Sequence, residues 1–125
     1  DEIEIMYQAI YNRALRCMEM NQLFLNPRLT LDELAKQIST NRTQLSTCIN
    51  RITHSNFNSW LAWYRVNHLL EQYNLLCQET TPPPLDELYE KSGFASRSSF
   101  YRQFKSVTGL TPSQFTKQQN QQKQE

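Results

Sequence analysis

Glycine is almost missing from this chain. Only Gly93 and Gly109 occur among 125 residues, where globular chains average about 7%. Two isolated glycines cannot build a phosphate-cradling loop, so P-loop and dinucleotide-binding motifs are excluded. Hairpin-rich folds, which draw on glycine for their tight turns, are disfavoured. Long apolar runs are missing too: mean hydropathy is −0.69, and no stretch approaches the roughly 20 apolar residues of a membrane helix. Cysteine is scarce. Cys17, Cys48 and Cys77 are odd in number, widely spaced and without a C-x-x-C or a histidine cluster beside them. That pattern argues against a disulfide framework or a zinc site and for a reducing, cytoplasmic setting. The two histidines, His54 and His68, stand in no H-E-x-x-H, and there is no G-x-S-x-G. Neither an enzyme nor a metal or cofactor site is therefore expected.

What the chain does contain is an uneven distribution of charge. The formal net charge is +1, yet Asn41 to Arg65 holds Arg42, Arg51 and Arg65 and no acid. From Val66 to Glu90 there are five acids (Glu71, Glu79, Asp86, Glu87, Glu90) and no base. From Lys91 to Gln124 there are six bases (Lys91, Arg97, Arg102, Lys105, Lys117, Lys123) and no acid. Such asymmetry suggests basic faces on an otherwise acidic body.

Apolar spacing predicts an all-α chain of about seven helices. Residues 3–23 read as the first, ended by Asn26-Pro27 because the residue before proline is driven from the helical region. Thr30 with Glu33 forms a capping box opening a short helix that carries Leu31, Leu34, Ala35 and Ile38. Asn41, with Gln44 three residues later, opens another, with Leu45, Cys48, Ile49 and Ile52 inward. The longest stretch, 57–77, buries Phe57, Trp60, Leu61 and Tyr64 on one side. Val66, Leu69, Leu70, Tyr73, Leu76 and Cys77 lie roughly opposite, so this helix should link two small cores. Residues 78–84, with three consecutive prolines, form a break. Short helices follow at 85–92 and 96–107, the second ended by Gly109. Thr111-Pro112 starts a last one. We divide the chain into 1–76, the break at 77–84, 85–117, and a polar tail at 118–125 expected to be disordered.

The chain also repeats itself. Leu31-Asp32-Glu33-Leu34 recurs as Leu85-Asp86-Glu87-Leu88, 54 residues on. After one inserted residue, Asn41-Arg42 matches Ser96-Arg97, Leu45 matches Phe100, Ile49 matches Phe104, Ile52 matches Val107 and Trp60 matches Phe115. Each copy is a short helix, a tight turn and a longer helix, which is a helix-turn-helix unit. The run Gly93-Phe94-Ala95-Ser96-Arg97-Ser98-Ser99-Phe100-Tyr101-Arg102-Gln103-Phe104-Lys105, followed by residues 108–115 (TGLTPSQF), resembles the C-terminal signature of the AraC family of bacterial transcription factors. Residues 41–46 (NRTQLS), with Arg65 further on, are similar to that family's first unit. His54-Ser55 stands where a standard copy has its glycine turn. The resemblance covers about residues 5–117.

In a helix-turn-helix the second helix enters the major groove, where base edges present a distinct donor and acceptor pattern. In the second copy the residues left facing outward are Arg97, Ser98, Tyr101, Arg102 and Lys105. Either Arg97 or Arg102 could fork onto guanine, and Lys105 suits phosphate. The first copy offers Arg42, Thr43, Gln44, Ser46, Thr47 and Asn50; threonine methyls suit thymine, and Gln or Asn suits adenine. Arg51 and Arg65 are candidates for phosphate contacts or for partners within the chain. The resemblance implies sequence-specific binding of double-stranded DNA by two recognition helices in successive major-groove segments. It makes RNA polymerase a further candidate partner. The start at Asp1 leads us to expect the monomeric output domain of a longer regulator, with any sensor or membrane attachment upstream. The competing expectation is a helical protein-interaction module that keeps the fold without binding DNA specifically.

Overall fold

A computed structural model describes residues 1–123 and, among them, only helices and turns. Six α-helices follow in order: α1 (Glu2–Glu19), α2 (Leu31–Gln37), α3 (Arg42–Thr53), α4 (Phe57–Glu79), α5 (Arg97–Thr108) and α6 (Pro112–Lys123). The chain divides into two compact units, Asp1–Leu61 and Ala62–Glu125, with the boundary inside α4. The opposed apolar faces of α4 account for this division. Phe57, Trp60 and Leu61 are buried near its start, and Val66, Leu69 and Tyr73 are buried further along.

In the first unit α1 and α2 both pack on α3. Ile10, Ala14 and Met18 from α1 are buried, as are Leu34 and Ala35 from α2 and Leu45, Cys48 and Ile49 from α3. Helix α1 is shorter than its apolar spacing predicts. It stops at Glu19, and Gln22 takes a left-handed φ of 50°. A separate 3-10 turn over Leu23–Leu25 then turns Phe24 into the core, where it is 5% exposed. Met6, at core spacing on α1, is exposed.

The second unit is built round aromatic rings. Val66, Leu69, Tyr73, Leu85, Leu88, Phe94, Phe100 and Phe104 form one buried cluster with Phe115 packed against it. Phe100 meets Tyr89, Phe94, Tyr101 and Phe104 at centroid distances between 5.2 and 5.7 Å. Such ring pairs add about 0.5–1.5 kcal/mol each beyond their area burial. His68 Nδ1 lies 2.9 Å from the buried Ser92 hydroxyl.

Three expectations need correction. The predicted helix at 85–92 is two 3-10 turns, Leu85–Glu87 and Tyr89–Ser92. Pro84, at the cap position, offers no side-chain acceptor for the free amides of a first α-turn. The long helix runs to Glu79, two residues into the expected break. The polar tail expected to be disordered from 118 continues α6 through Lys123. Glutamine is a good helix former, and the start of α6 is capped at both ends of a box. The Gln114 amide donates to Thr111 Oγ1 (3.1 Å), and the Thr111 amide donates to Gln114 Oε1 (2.9 Å). Residues 124 and 125 of that tail lie outside the described residues. At α2 only half of the expected box forms, the Glu33 amide donating to Thr30 Oγ1 at 3.1 Å.

Candidate nucleic-acid interface

Helix α5 begins at Ser96, whose hydroxyl accepts from the Ser99 amide at 3.2 Å. Because Phe100 and Phe104 are fully buried, the 3.6-residue period turns Ser98, Arg102 and Lys105 away from the core and leaves Arg97 and Tyr101 on the flank beside them, Tyr101 packing against the core cluster. Arg97, Ser98, Arg102 and Lys105 are exposed, and Tyr101 is half-buried. The structure thus brings the five candidates of this helix onto one face.

Arg97 does not simply extend into solvent. Its Nε donates to Asp86 Oδ2 at 3.2 Å, and its Nη2 donates to the Tyr101 hydroxyl at 3.0 Å. The Tyr101 hydroxyl in turn donates to the same Asp86 oxygen at 3.3 Å. The guanidinium carbon lies 4.7 Å from the centre of the Tyr101 ring. Hydrogen bonding to Asp86, then to Tyr101, moves the Arg97 pKa still higher than its ordinary value. Asp86 Oδ1 is buried and has no hydrogen-bond partner among the described residues.

Helix α3 has the same plan with fewer ties. Asn41 Oδ1 accepts from the Gln44 amide at 2.9 Å and caps it. Arg42, Thr43 and Asn50 are exposed; Gln44, Ser46 and Thr47 are half-buried. Arg42 Nη1 pairs with Asp32 Oδ2 at 3.1 Å, both side chains being well exposed. Several polar groups of this face turn back on the protein. Thr40 Oγ1 donates to Gln44 Oε1 (2.7 Å), Thr47 Oγ1 to the Thr43 carbonyl (2.8 Å) and Asn50 Nδ2 to the Ser46 carbonyl (3.1 Å).

For the other two arginines the structure favours partners within the chain. Arg51 pairs with Glu4 and lies 5.2 Å from the centre of the Tyr7 ring. Arg65 is buried, 6% exposed, and desolvation lowers its pKa to about 10. Sequence reasoning missed Asp32 and Asp86. They stand in the sequence reading only as members of the LDEL repeat and, for Asp86, of an acidic run, although the acid in each copy precedes the first arginine of the following helix at almost equal distance.

A family profile described as a helix-turn-helix domain matches residues 34–118, spanning both α3 and α5. The chain belongs to the AraC-type helix-turn-helix family. It is similar to an uncharacterized helix-turn-helix-type transcriptional regulator of Bacillus subtilis, YtdP, at 27% identity over 90 residues. That match takes in 72% of this chain but only 11% of the regulator's length. Among solved structures, a protein of unknown function from Listeria innocua superposes with a TM-score of 0.62 at 30% identity, covering 78% of this chain and 88% of that one. The C-terminal domain of AraT, a response regulator from Geobacillus stearothermophilus, gives a TM-score of 0.68 at 22% identity, covering 87% and 84%. This second likeness shows the fold. As an AraC-type domain, the chain is of the DNA-binding, transcription-regulating kind. Among its described residues no helix is long and apolar enough to cross a membrane.

Proposed function

We propose that this AraC-type domain binds double-stranded DNA sequence-specifically, as the output portion of a longer regulator. The observation that carries this reading is the exposed face of α5, where Arg97, Ser98, Arg102 and Lys105 project around the half-buried Tyr101 with no acid on the helix. Arg97 and Arg102 read base edges, each as a fork suited to guanine O6 and N7. Ser98 and Tyr101 complete the contact, and Lys105 holds a phosphate. Helix α3 contributes a second, weaker reader. Arg42 and Thr43 are its most available side chains, with Gln44, Ser46, Thr47 and Asn50 supplying van der Waals surface and single hydrogen bonds. In isolation the domain is monomeric, and RNA polymerase is the protein partner to which such an output answers.

Selection from a random-sequence duplex pool, followed by titration of the selected duplex at two salt concentrations, tests this. Two enriched blocks are expected, the stronger assigned to α5 by its loss in R102A. One block would leave α3 with phosphate contacts alone. Salt-sensitive binding with no enriched motif would reduce the function to non-specific attraction. No binding at low salt would overturn the proposal and redirect the search to a protein partner.

A further inference from the structure

Both helix-turn-helix units carry the same buttress. The second residue of each LDEL repeat, Asp32 or Asp86, is ion-paired with the first arginine of the following helix, Arg42 or Arg97. In the second unit the pair closes into a triangle through Tyr101, and the carboxylate is only 37% exposed. A pair that recurs at matching positions of two diverged copies, and is more enclosed in one, is not an incidental surface contact.

We infer that Asp86 is a positioning residue that makes Arg97 a specific reader of bases, in the DNA-binding role proposed above on which this inference rests. A guanidinium has five N–H donors. Asp86 Oδ2 lies 3.2 Å from both Nε and Nη2, and Tyr101 accepts from Nη2 at 3.0 Å, so the two Nη1 hydrogens are the donors left for a base. Held in this orientation, Nη1 is the group presented to an acceptor on a base edge such as guanine O6 or N7. Its bonds to Asp86 and Tyr101 and its place over the Tyr101 ring restrain the guanidinium, so less side-chain freedom is lost when it docks. The carboxylate has a second effect. It opposes phosphate close to Arg97, discouraging the arginine from settling on the backbone of any duplex it meets. The carboxylate makes its hydrogen bonds to Arg97 and Tyr101 through Oδ2, and with Oδ1 buried its charge is held in place beside Arg97. Asp32 does the same for Arg42 more loosely, because Ser46 stands where the second unit has Tyr101.

The test compares wild type, D86N, R97K and D86N/R97K on the selected duplex, on its single base-pair variants and on a scrambled duplex, with helicity confirming the fold. D86N is expected to lower discrimination about tenfold at the same base pairs that R97K relaxes, while scrambled duplex binds as tightly as before or tighter. In the R97K background D86N should add no further loss, and D86E should retain more discrimination than D86N. A D86N loss spread evenly over every duplex overturns the assignment, as does one that persists in full beside R97K. Unaltered discrimination in D86N overturns it alone and leaves the DNA-binding reading intact. Absence of any preferred duplex for the wild type removes that reading, and the assignment falls with it.

Discussion

Thr53 in the first unit and Thr108 in the second each donate a hydroxyl proton to the carbonyl four residues back, Ile49 at 2.6 Å and Phe104 at 2.8 Å. Each also accepts the amide two residues ahead, from Ser55 at 3.2 Å and Leu110 at 3.1 Å. The turn is the same in both copies while the residues around it are not. Where the second unit reverses through Gly93 and Gly109, the first uses Ser39 and His54, both at φ 59°. Where the second unit sets Phe100 and Phe104 edge to face, the first packs Leu45 and Ile49. The threonine, its hydrogen bonds and the left-handed turns have been kept, and the residues around them have drifted. The proposed division of labour between α3 and α5 should follow that drift.

The largest expected effect tests whether the aromatic core matters as rings or only as volume. Phe100→Ala should destabilise the second unit by about 3–5 kcal/mol, while Leu45→Ala in the first costs about 2–5 kcal/mol. Phe100 touches four other rings, so its loss should fall in the upper part of its range. Denaturant titration measures each loss, and hydrogen exchange assigns it to a unit. If the two losses are equal, the ring contacts add nothing beyond buried area.

Next comes the contrast between the arginines. Arg97→Ala is expected to weaken binding to the selected duplex by about 1–3 kcal/mol and to relax one base-pair position. Arg42→Ala, at the equivalent position but held by one exposed bond, should cost less than half as much. Fluorescence anisotropy on matched and substituted duplexes reads both. Equal effects would break the proposed hierarchy of α5 over α3. Lys105→Ala should weaken all duplexes alike and reduce the salt slope by about one contact.

Much of this was legible in the residues themselves. The apolar pattern of α3 and α5, the caps at Asn41 and Thr111, and the opposed faces of α4 are local properties, governed by helical period and short-range hydrogen bonds. What could not be read was decided by tertiary competition. That α1 would end at Glu19 depends on Phe24 finding the core, a long-range gain invisible in α1. The Asp86–Arg97–Tyr101 triangle needs residues 11 and 15 apart to meet, and no helical spacing announces it. The duplication held the clue: an acid and an arginine recur together, and only the structure shows them bonded.

The two left-handed positions at the ends of the recognition helices offer a sharper test of drift. At Gly109, φ is 81° and a Cβ would meet no atom within 4 Å. Gly109→Ala should therefore cost only the left-handed conformation itself, about 1–2 kcal/mol. His54→Gly removes that strain from the first unit and should raise stability by up to about 1 kcal/mol, the gain reduced by the freedom glycine adds to the unfolded chain. Thermal melts of the two variants should move in opposite directions. A destabilised His54→Gly would mean that the imidazole makes contacts that outweigh its backbone strain.

The smallest effect concerns the two LDEL segments, identical in sequence yet different in conformation. Thr30 caps the first, and an α-helix forms over Leu31–Gln37. Pro84 precedes the second, where the Glu87 amide bonds the Pro84 carbonyl and the Leu88 amide bonds the Leu85 carbonyl, both at 3.0 Å in the tighter 3-10 pattern. The four residues are the same, so the difference must come from their surroundings, and the preceding cap is the nearest candidate. Thr30→Ala should destabilise the first unit by about 1 kcal/mol through the lost bond to the Glu33 amide. Pro84→Ala should have a smaller effect, since no side-chain cap is there to lose. The informative variant is Pro84→Thr, which restores the acceptor while also relaxing the chain before it. If the cap decides the conformation, amide exchange near Glu87 and Leu88 should slow as an α-turn closes. Unchanged exchange would place the cause in the aromatic packing beneath Leu85 and Leu88 instead.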